Sequence, residues 1–177
     1  PAEMAELARG KLRRKRERLT LALEGRLTEH HRYVLAFHLR RLAAIEEDLR
    51  ALDARIEAKA EPFRAQRLLL QQIPGVDALV AVTIIAEAGV DTSVFGDAKR
   101  LAAWAGVCPG NHQSAGKRRS GATRRGNVHL KTALVTAAVS GSRRRGSYYR
   151  DKYHRLKARR GRLRAAVAIA HKILVAA

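Results

Sequence analysis

The sequence predicts an all-α protein in which a long coiled-coil or helical arm is followed by a compact helical domain. Alanine, leucine and arginine dominate and aromatic residues make up only 5%, a composition that favours helices. A heptad repeat runs through the first half of the chain. In the second half, apolar segments of helical length are separated by glycine and proline. We predict an arm over residues 1–67 and a domain over residues 68–177.

The arm is predicted from apolar residues that recur with 3-4-3-4 spacing, with charged residues between them. His38 and Lys59 are polar members of this seam and either set the register or weaken the pairing. One alternative is a single amphipathic helix that packs on its own domain. We favour a coiled coil, and therefore a homo-oligomer, because the repeat holds for about four heptads. The seam positions are Leu35, His38, Leu42, Ile45, Leu49, Leu52, Ile56, Lys59 and Phe63.

The domain begins with two apolar helical segments joined by Pro74-Gly75, and this pattern is typical of a helix-hairpin-helix. In that motif, amides at the start of the second helix bind a nucleic-acid phosphate, so Gly75 and Val76 become candidate contacts. An ordinary corner between two helices is an equally good interpretation of this segment alone.

Positive charge is concentrated in the second half of the chain. Residues 1–98 contain 16 Lys and Arg against 15 Asp and Glu, whereas residues 99–177 contain 20 Lys and Arg against one acid, Asp151. Because internal ion pairs cannot neutralise this segment, we expect a polyanion as its partner, and nucleic acid is the best candidate. An anionic membrane surface fits less well, since no long amphipathic helix carries Trp or Phe opposite a basic face.

Residues 107–126 lack apolar periodicity, and we predict a long loop there. They contain four glycines, three hydroxyl residues, five bases and no acid. Loops of this length in compact domains are functional or disordered. The flanking sequence predicts a helix over residues 98–105 with a buried Trp104 beside Phe95, and further helices over 128–140 and 147–160 and from Arg162 onward. Asn127 is the expected N-cap of the second of these helices.

Cysteine and carboxylate usage restrict the chemistry. The single Cys108 excludes an intramolecular disulfide and agrees with a reducing, cytoplasmic setting. No apolar run is long enough to span a membrane. The basic half lacks the carboxylates of a two-metal nuclease, and the histidines lack zinc spacing, so we expect no metal site in this chain.

A hydroxyl nucleophile in the loop remains as a source of chemistry. Ser114 is followed by a run of bases that would stabilise a pentacoordinate phosphate, and Gly116 would permit close approach of DNA. From composition alone, an incidental loop serine with phosphate-holding bases is the better interpretation. The candidate nucleic-acid contacts are Lys117, Arg118, Arg119, Arg124, Arg125, Lys131, Arg143, Arg144 and Arg145.

Several motifs together resemble the C-terminal transposase domain of the insertion sequence 110 family, also called the 116/902 family. The resemblance covers essentially the whole chain, and its most specific part is the loop. The residues that carry it are Ile73-Pro74-Gly75-Val76, Phe95, Leu101–Asn111, Ser114–Arg118 and Thr123–Asn127, together with Gly10–Arg13 and Thr28–Arg32 upstream.

The resemblance implies a DNA transposase or recombinase guided by a bridge RNA. Family members combine an N-terminal RuvC-like domain that holds Mg²⁺, a coiled coil used in assembly, and a C-terminal domain with a nucleophilic serine. By motif, that serine is Ser114 here. Many members have Ser-Ser-Gly-Gly at this point, and because this sequence has Ser-Ala-Gly-Lys, Ser120 is the alternative.

No segment of the chain resembles the RuvC-like domain, so we expect a fragment that binds nucleic acid without recombining DNA. Strand exchange by residues 1–177 alone would contradict this expectation. The alternatives are a non-catalytic helix-hairpin-helix module with a coiled-coil arm, and an assembly element in which the basic region is a passive anchor.

Overall fold

A computed structural model describes residues 1–25, 28–110 and 112–177, with the backbone alone described at 112–114 and 117–120. The chain divides into two units, Pro1–Glu57 and Ala58–Ala177. The regular elements among the described residues are helices apart from one short β-hairpin, which confirms the predicted all-α class. None of the described helices combines the length and the hydropathy needed to cross a membrane.

The first unit contains two short helices and most of a long one. Helices α1 (Ala2–Glu6) and α2 (Arg16–Leu23) flank a 3₁₀ segment, Gly10–Lys15, and an ion pair of 2.9 Å joins Glu6 to Arg16. The third helix, α3, runs without a break over Glu29–Ala60. It ends where Pro62 enters a 3₁₀ turn, as expected for a residue that cannot continue a helical hydrogen-bond ladder.

The second unit consists of packed helices and the hairpin. Its elements in chain order are α4 (Arg64–Leu70), α5 (Ala78–Ala88), a 3₁₀ turn (Thr92–Phe95), α6 (Ala98–Trp104), β1 (His112–Ser114), β2 (Lys117–Ser120), α7 (Val128–Gly141), α8 (Tyr148–Arg160) and α9 (Arg162–Ala176). The predicted arm boundary between residues 67 and 68 falls within α4.

The core of the second unit lies where α9 packs against α7, α8 and α6, and α5 also packs against α7. Leu130, Leu134, Ile169 and Ile173 are fully buried and belong to the largest side chains there. Burying a leucine or isoleucine contributes about 1.5–3 kcal/mol, so these four side chains account for much of the stability of the α7–α9 contact.

Side-chain caps begin most helices of this unit. Asp77, Asp97, Asn127 and Ser147 accept hydrogen bonds from the backbone amides three residues later, at the starts of α5, α6, α7 and α8. The cap also lowers the pKa of Asp97, because the Arg100 amide donates to its carboxylate. The predicted positions of α6, α7, α8 and α9 agree with the structure to within one residue at most ends.

Two local predictions are wrong. The segment 107–126 is not a loop throughout, because β1 and β2 pair in an antiparallel hairpin within it. Trp104 does contact Phe95, with ring centroids 5.1 Å apart, but 39% of it remains exposed. The contact forms beside the core and not within it, because Phe95 is half-buried in the 3₁₀ turn before α6 and packs against the core from outside.

Candidate nucleic-acid interface

The hairpin that carries the predicted serine rises from a short antiparallel stem. The Gly110 amide donates to the Ala122 carbonyl at 2.8 Å, and Pro109 pairs with Thr123 in an isolated bridge. A Cβ on Gly110 would lie 2.6 Å from the Ala122 oxygen, so the close pairing of the two stem strands requires glycine at this position.

The tip of the hairpin is a two-residue turn at Ala115-Gly116. Both residues have positive φ, 48° and 76°, which is characteristic of the type I′ turn that matches the twist of a hairpin. In the register, Ser114 is paired with Lys117 and Gln113 with Arg118, and His112 is paired with Ser120 after an irregularity. Ser114 therefore immediately precedes the tip. The side chains predicted to act here, Ser114, Lys117, Arg118, Arg119 and Ser120, lie outside the described residues.

Two glycines close the base of the hairpin. A Cβ on Gly126 would lie 2.4 Å from the Gly106 nitrogen and 2.6 Å from the Trp104 carbonyl oxygen. Gly106 has φ of 71°, a conformation that side chains disfavour. The Asn127 amide donates to the Trp104 carbonyl at 3.1 Å, directly after the return strand. The hairpin therefore begins and ends at one point, beside the start of α7.

Two side-chain hydrogen bonds connect this base to neighbouring helices. The Asn127 Oδ1 accepts from the Leu130 amide at 2.9 Å, while its Nδ2 donates to Glu87 on α5. Lys131 Nζ donates to Thr123 Oγ1 at 2.7 Å. Lys131 was predicted as a phosphate contact, and in this structure its ammonium tethers the hairpin stem to α7. Burial raises the pKa of the Cys108 thiol in the same stem, which keeps the sulfur protonated.

A groove lies between the hairpin stem and the corner where α8 meets α9. Its volume is about 1000 Å³. Its floor is largely apolar, and its only charged lining residues among those described are Arg159, Arg160 and Arg164. All three arginines are exposed. Sequence analysis missed this groove, although the signal was present in the run Arg159-Arg160-Gly161-Arg162-Leu163-Arg164, where a glycine breaks an arginine-rich helix.

Other predicted contacts are spread over the second unit. Arg124 and Arg125 are exposed on the return strand of the hairpin, just before its base. Arg143, Arg144 and Arg145 are exposed in the turn between α7 and α8. These bases lie on separate elements, so an anion that contacts all of them must be long, as a nucleic-acid backbone is.

Gly75 and Val76 occupy a different kind of site. A Cβ on Gly75 would lie 2.2 Å from the Ala137 carbonyl oxygen, so the turn packs directly against the backbone of α7. The Val76 amide donates to the Ile73 carbonyl at 3.0 Å, and the Asp77 carboxylate caps α5. This geometry gives Gly75 a packing role, and the phosphate contact predicted for Gly75 and Val76 stays a prediction.

Carboxylates are scarce around the hairpin. No three His, Cys, Asp or Glu side chains within the described ranges come close enough together to hold a metal ion. Glu87 is half-buried and its carboxylate is engaged by Asn127. The described surroundings of the hairpin therefore combine exposed arginines with few carboxylates, an arrangement suited to binding anions.

Comparison with known proteins identifies the segment that carries the hairpin and its base. Residues 67–154, from α4 through the hairpin to the first half of α8, match the family described as "Transposase IS116/IS110/IS902 family". Through this segment, the chain belongs to the IS116/IS110/IS902 transposase family. The matched residues include both hairpin strands, the Gly106–Gly126 contact and the Asn127 cap.

A curated relative agrees with this assignment. The chain is 31% identical over 106 residues to a protein of Pseudomonas aeruginosa described as "Probable family 20 transposase". The alignment covers 55% of this chain and 30% of that protein. The chain therefore corresponds to less than a third of this transposase relative, while containing the matched family region.

Proposed function

We propose that this chain binds DNA through its basic second unit and supplies Ser114 as the nucleophile for strand cleavage and transfer in an insertion-sequence transposase. The observation that carries the proposal is the position of Ser114, next to the tip of a hairpin whose stem borders a groove with arginines as its only described charged residues. Family membership supports the same interpretation.

The groove suits one strand of nucleic acid. Guanidinium groups at Arg159, Arg160 and Arg164 would hold phosphate oxygens, while the apolar floor would accept sugar and base faces. Such contacts position the backbone without reading sequence. The exposed Arg124 and Arg125 on the hairpin would extend the phosphate contacts toward the serine.

The reaction assigned to Ser114 is a transesterification. The Ser114 Oγ attacks a DNA phosphorus atom and forms a phosphoserine ester, and one P–O bond to the adjoining sugar breaks. The serine proton passes to a base, and the departing sugar oxygen takes up a proton, so no water is consumed. Lys117, the cross-strand neighbour of Ser114 in the register, is proposed to stabilise the negative charge with Arg118 and Arg119. Ser120, at the other end of β2, is the alternative nucleophile.

Three further partners belong to the proposal. The family resemblance supports a guide RNA, and the exposed seam of α3 supports a homo-oligomer. The family resemblance also supports Mg²⁺ held by a RuvC-like domain. The described residues of this chain do not fit Mg²⁺, which prefers several carboxylate and water oxygens, so no catalytic step is assigned to a metal here.

Salt dependence tests the DNA-binding part. Fluorescence anisotropy of labelled DNA over a range of salt should give a steep slope for the whole chain, with about 0.9 lost for each phosphate contact removed from duplex DNA. Replacing Arg159, Arg160 and Arg164 by glutamine should reduce the slope by about 2 to 3. Arg40→Gln removes one positive charge from α3 in the first unit, serves as a single-charge control, and should leave the slope unchanged. An unchanged slope in the triple variant would rule out the groove as a DNA site.

Covalent trapping tests the nucleophile. With the complete transposase and a nicked DNA substrate, a protein–DNA adduct should appear as a retarded band under denaturing conditions. Ser114→Ala should abolish the adduct while binding persists, and Ser120→Ala should retain it. If Ser114→Ala retains both the adduct and transposition, the serine assignment is wrong, and the non-catalytic helix-hairpin-helix module becomes the better interpretation.

A further inference from the structure

The apolar seam of α3 lies exposed along the helix. Six seam residues are 43–54% exposed: Leu35, Leu42, Ile45, Leu49, Leu52 and Ile56. At 1.5 Å per residue the stripe is about 32 Å long. An exposed apolar stripe of this length, flanked by charges, is typical of a surface that is covered by another helix.

A parallel dimer of α3 places like groups together. In that arrangement each seam residue faces its own copy, so Lys59 meets Lys59 and His38 meets His38 in the seam. At the flanks, Asp48 faces Asp53 of the second copy twice. Only Arg41 and Glu46 form a favourable flanking pair. The parallel arrangement therefore carries both buried and flanking like-charge contacts.

An antiparallel dimer with Leu42 opposite Ile45 removes these conflicts. In this register Leu35 meets Leu52 and His38 meets Leu49, each contact occurring twice by symmetry. Lys59 moves to the end of the pair, opposite Thr28, where its ammonium reaches water. The symmetry centre falls between residues 43 and 44, so nearly the whole of Glu29–Ala60 overlaps.

The flanking charges select the same register. Arg41 lies opposite Asp48 of the second copy, and Arg32 lies opposite Asp53, again twice each. The remaining flanking pairs join Leu39 to Glu46 and Val34 to Arg55, and neither carries a repulsion. Sliding the copies by one heptad, so that Leu42 meets Leu52, places Asp48 against its own copy and Arg41 against Arg55. Four favourable pairs without a like-charge pair occur at the first register.

We propose that α3 forms an antiparallel two-stranded coiled coil with a second copy of this chain, in the register that places Leu42 opposite Ile45. This inference deepens the homo-oligomer part of the proposed function. Association is measured without DNA, so its failure is separate from a failure of DNA binding or of Ser114.

Disulfide trapping determines the orientation. In a Cys108→Ala background, Leu35→Cys and Leu52→Cys chains of different length are mixed and oxidised. The antiparallel register predicts a disulfide only between the two different chains, because two copies of residue 35 are then about 25 Å apart along the axis, far beyond disulfide reach. Cross-linking of each variant to itself, without the mixed product, would overturn the register.

Charge reversal gives an independent readout by sedimentation equilibrium. Asp48→Arg should weaken the dimer by about tenfold, since two Arg41–Asp48 attractions become repulsions. The double variant Arg41→Asp/Asp48→Arg should restore the affinity. Glu47→Arg has the same change in charge on the outer face of α3 and should leave the affinity unchanged.

The parallel and antiparallel arrangements predict opposite changes in dimer affinity for Asp48→Arg. In a parallel dimer, Asp48→Arg would face Asp53 and strengthen the association. A stronger dimer with Asp48→Arg, or a wild-type chain that stays monomeric at every concentration, would therefore overturn the proposal.

Discussion

Gly75, in the turn between α4 and α5, lies so close to Gly141 at the end of α7 that a Cβ on Gly75 would be 2.5 Å from the Gly141 nitrogen. In the reverse direction, a Cβ on Gly141 would be 2.4 Å from the Pro74 carbonyl oxygen. Two backbones thus pass without any side chain between them, and this crossing fixes where α5 meets α7.

We expect Gly141→Ala to destabilise the second unit by about 3 kcal/mol. Alanine is the better helix former by about 1 kcal/mol, so the steric conflict with Pro74 exceeds the net loss by about that amount. Urea unfolding followed by circular dichroism tests the prediction. Ser140→Ala, at the exposed neighbouring position, is the control and should change the free energy of unfolding by less than about 0.5 kcal/mol. Equal effects of the two variants would contradict the close crossing.

Asn127 caps α7 and also donates a hydrogen bond to Glu87. Exchanging the amide and carboxylate between positions 127 and 87 separates these two contributions to stability. Asn127→Ala should cost about 1–2 kcal/mol, because α7 loses its cap. Asn127→Asp keeps the cap acceptor but loses the donor to Glu87 and places two carboxylates together. The double variant Asn127→Asp/Glu87→Gln restores a donor and should recover most of that loss in urea unfolding. If the double variant is no more stable than Asn127→Asp, the hydrogen bond between positions 127 and 87 is not stabilising.

The Lys131–Thr123 hydrogen bond should control local opening of the hairpin stem. Thr123→Val removes the acceptor, so we expect faster hydrogen exchange at the Gly110 amide, which is bonded across the stem to Ala122. Global stability should change little, because the bond lies at the edge of the unit. Thr132→Val, which removes an exposed hydroxyl on α7, serves as the control. Unchanged exchange at Gly110 in the Thr123 variant would show that the tether does not hold the stem.

His171 should make stability depend on pH. Burial lowers the pKa of this imidazole, and Lys172 adds to the effect. The unfolded chain therefore binds more protons near pH 6, so stability falls as the pH drops through the unfolded pKa of about 6.5 and levels off below the folded pKa. His171→Gln should flatten the pH profile between pH 7.5 and pH 5 in thermal unfolding, whereas exposed His154→Gln should not. A wild-type slope in the His171 variant would exclude this residue as the cause.

Helix positions were predictable because their signals are local. Asn127 and Gly161 are a cap and a break that the backbone requires, and both act as predicted. The heptad on α3 likewise predicted an uninterrupted helix, since its 3-4 spacing is a property of the helix surface. The serine hairpin was missed because β1 and β2 together have only seven residues and no alternating apolar face. The one available signal was the Ala115-Gly116 pair, which is weaker than Asn-Gly as a turn.

The groove at Arg159, Arg160 and Arg164 could not be predicted from local patterns. It exists because the stem around Pro109 returns to the α8–α9 corner, a contact between residues some 50 positions apart in sequence. Charge counting identified the basic half correctly, but it did not distinguish a tethered Lys131 from the arginines that line an open surface. The hydrogen bond from Lys131 to Thr123, which depends on the folded structure, distinguishes Lys131 from the exposed arginines.

The hydrogen bond between Gly110 and Ala122 makes the hairpin residues between them an exchangeable module. Because the two strands are joined there, and buried Val107 and the Lys131–Thr123 hydrogen bond lie outside the exchanged part, we expect a longer or rewritten tip to leave the packing of α6 and α7 unchanged. The length of the serine-bearing hairpin can therefore change while the helices that support it stay the same. Engineers could graft hairpin tips of other lengths between Gly110 and Ala122.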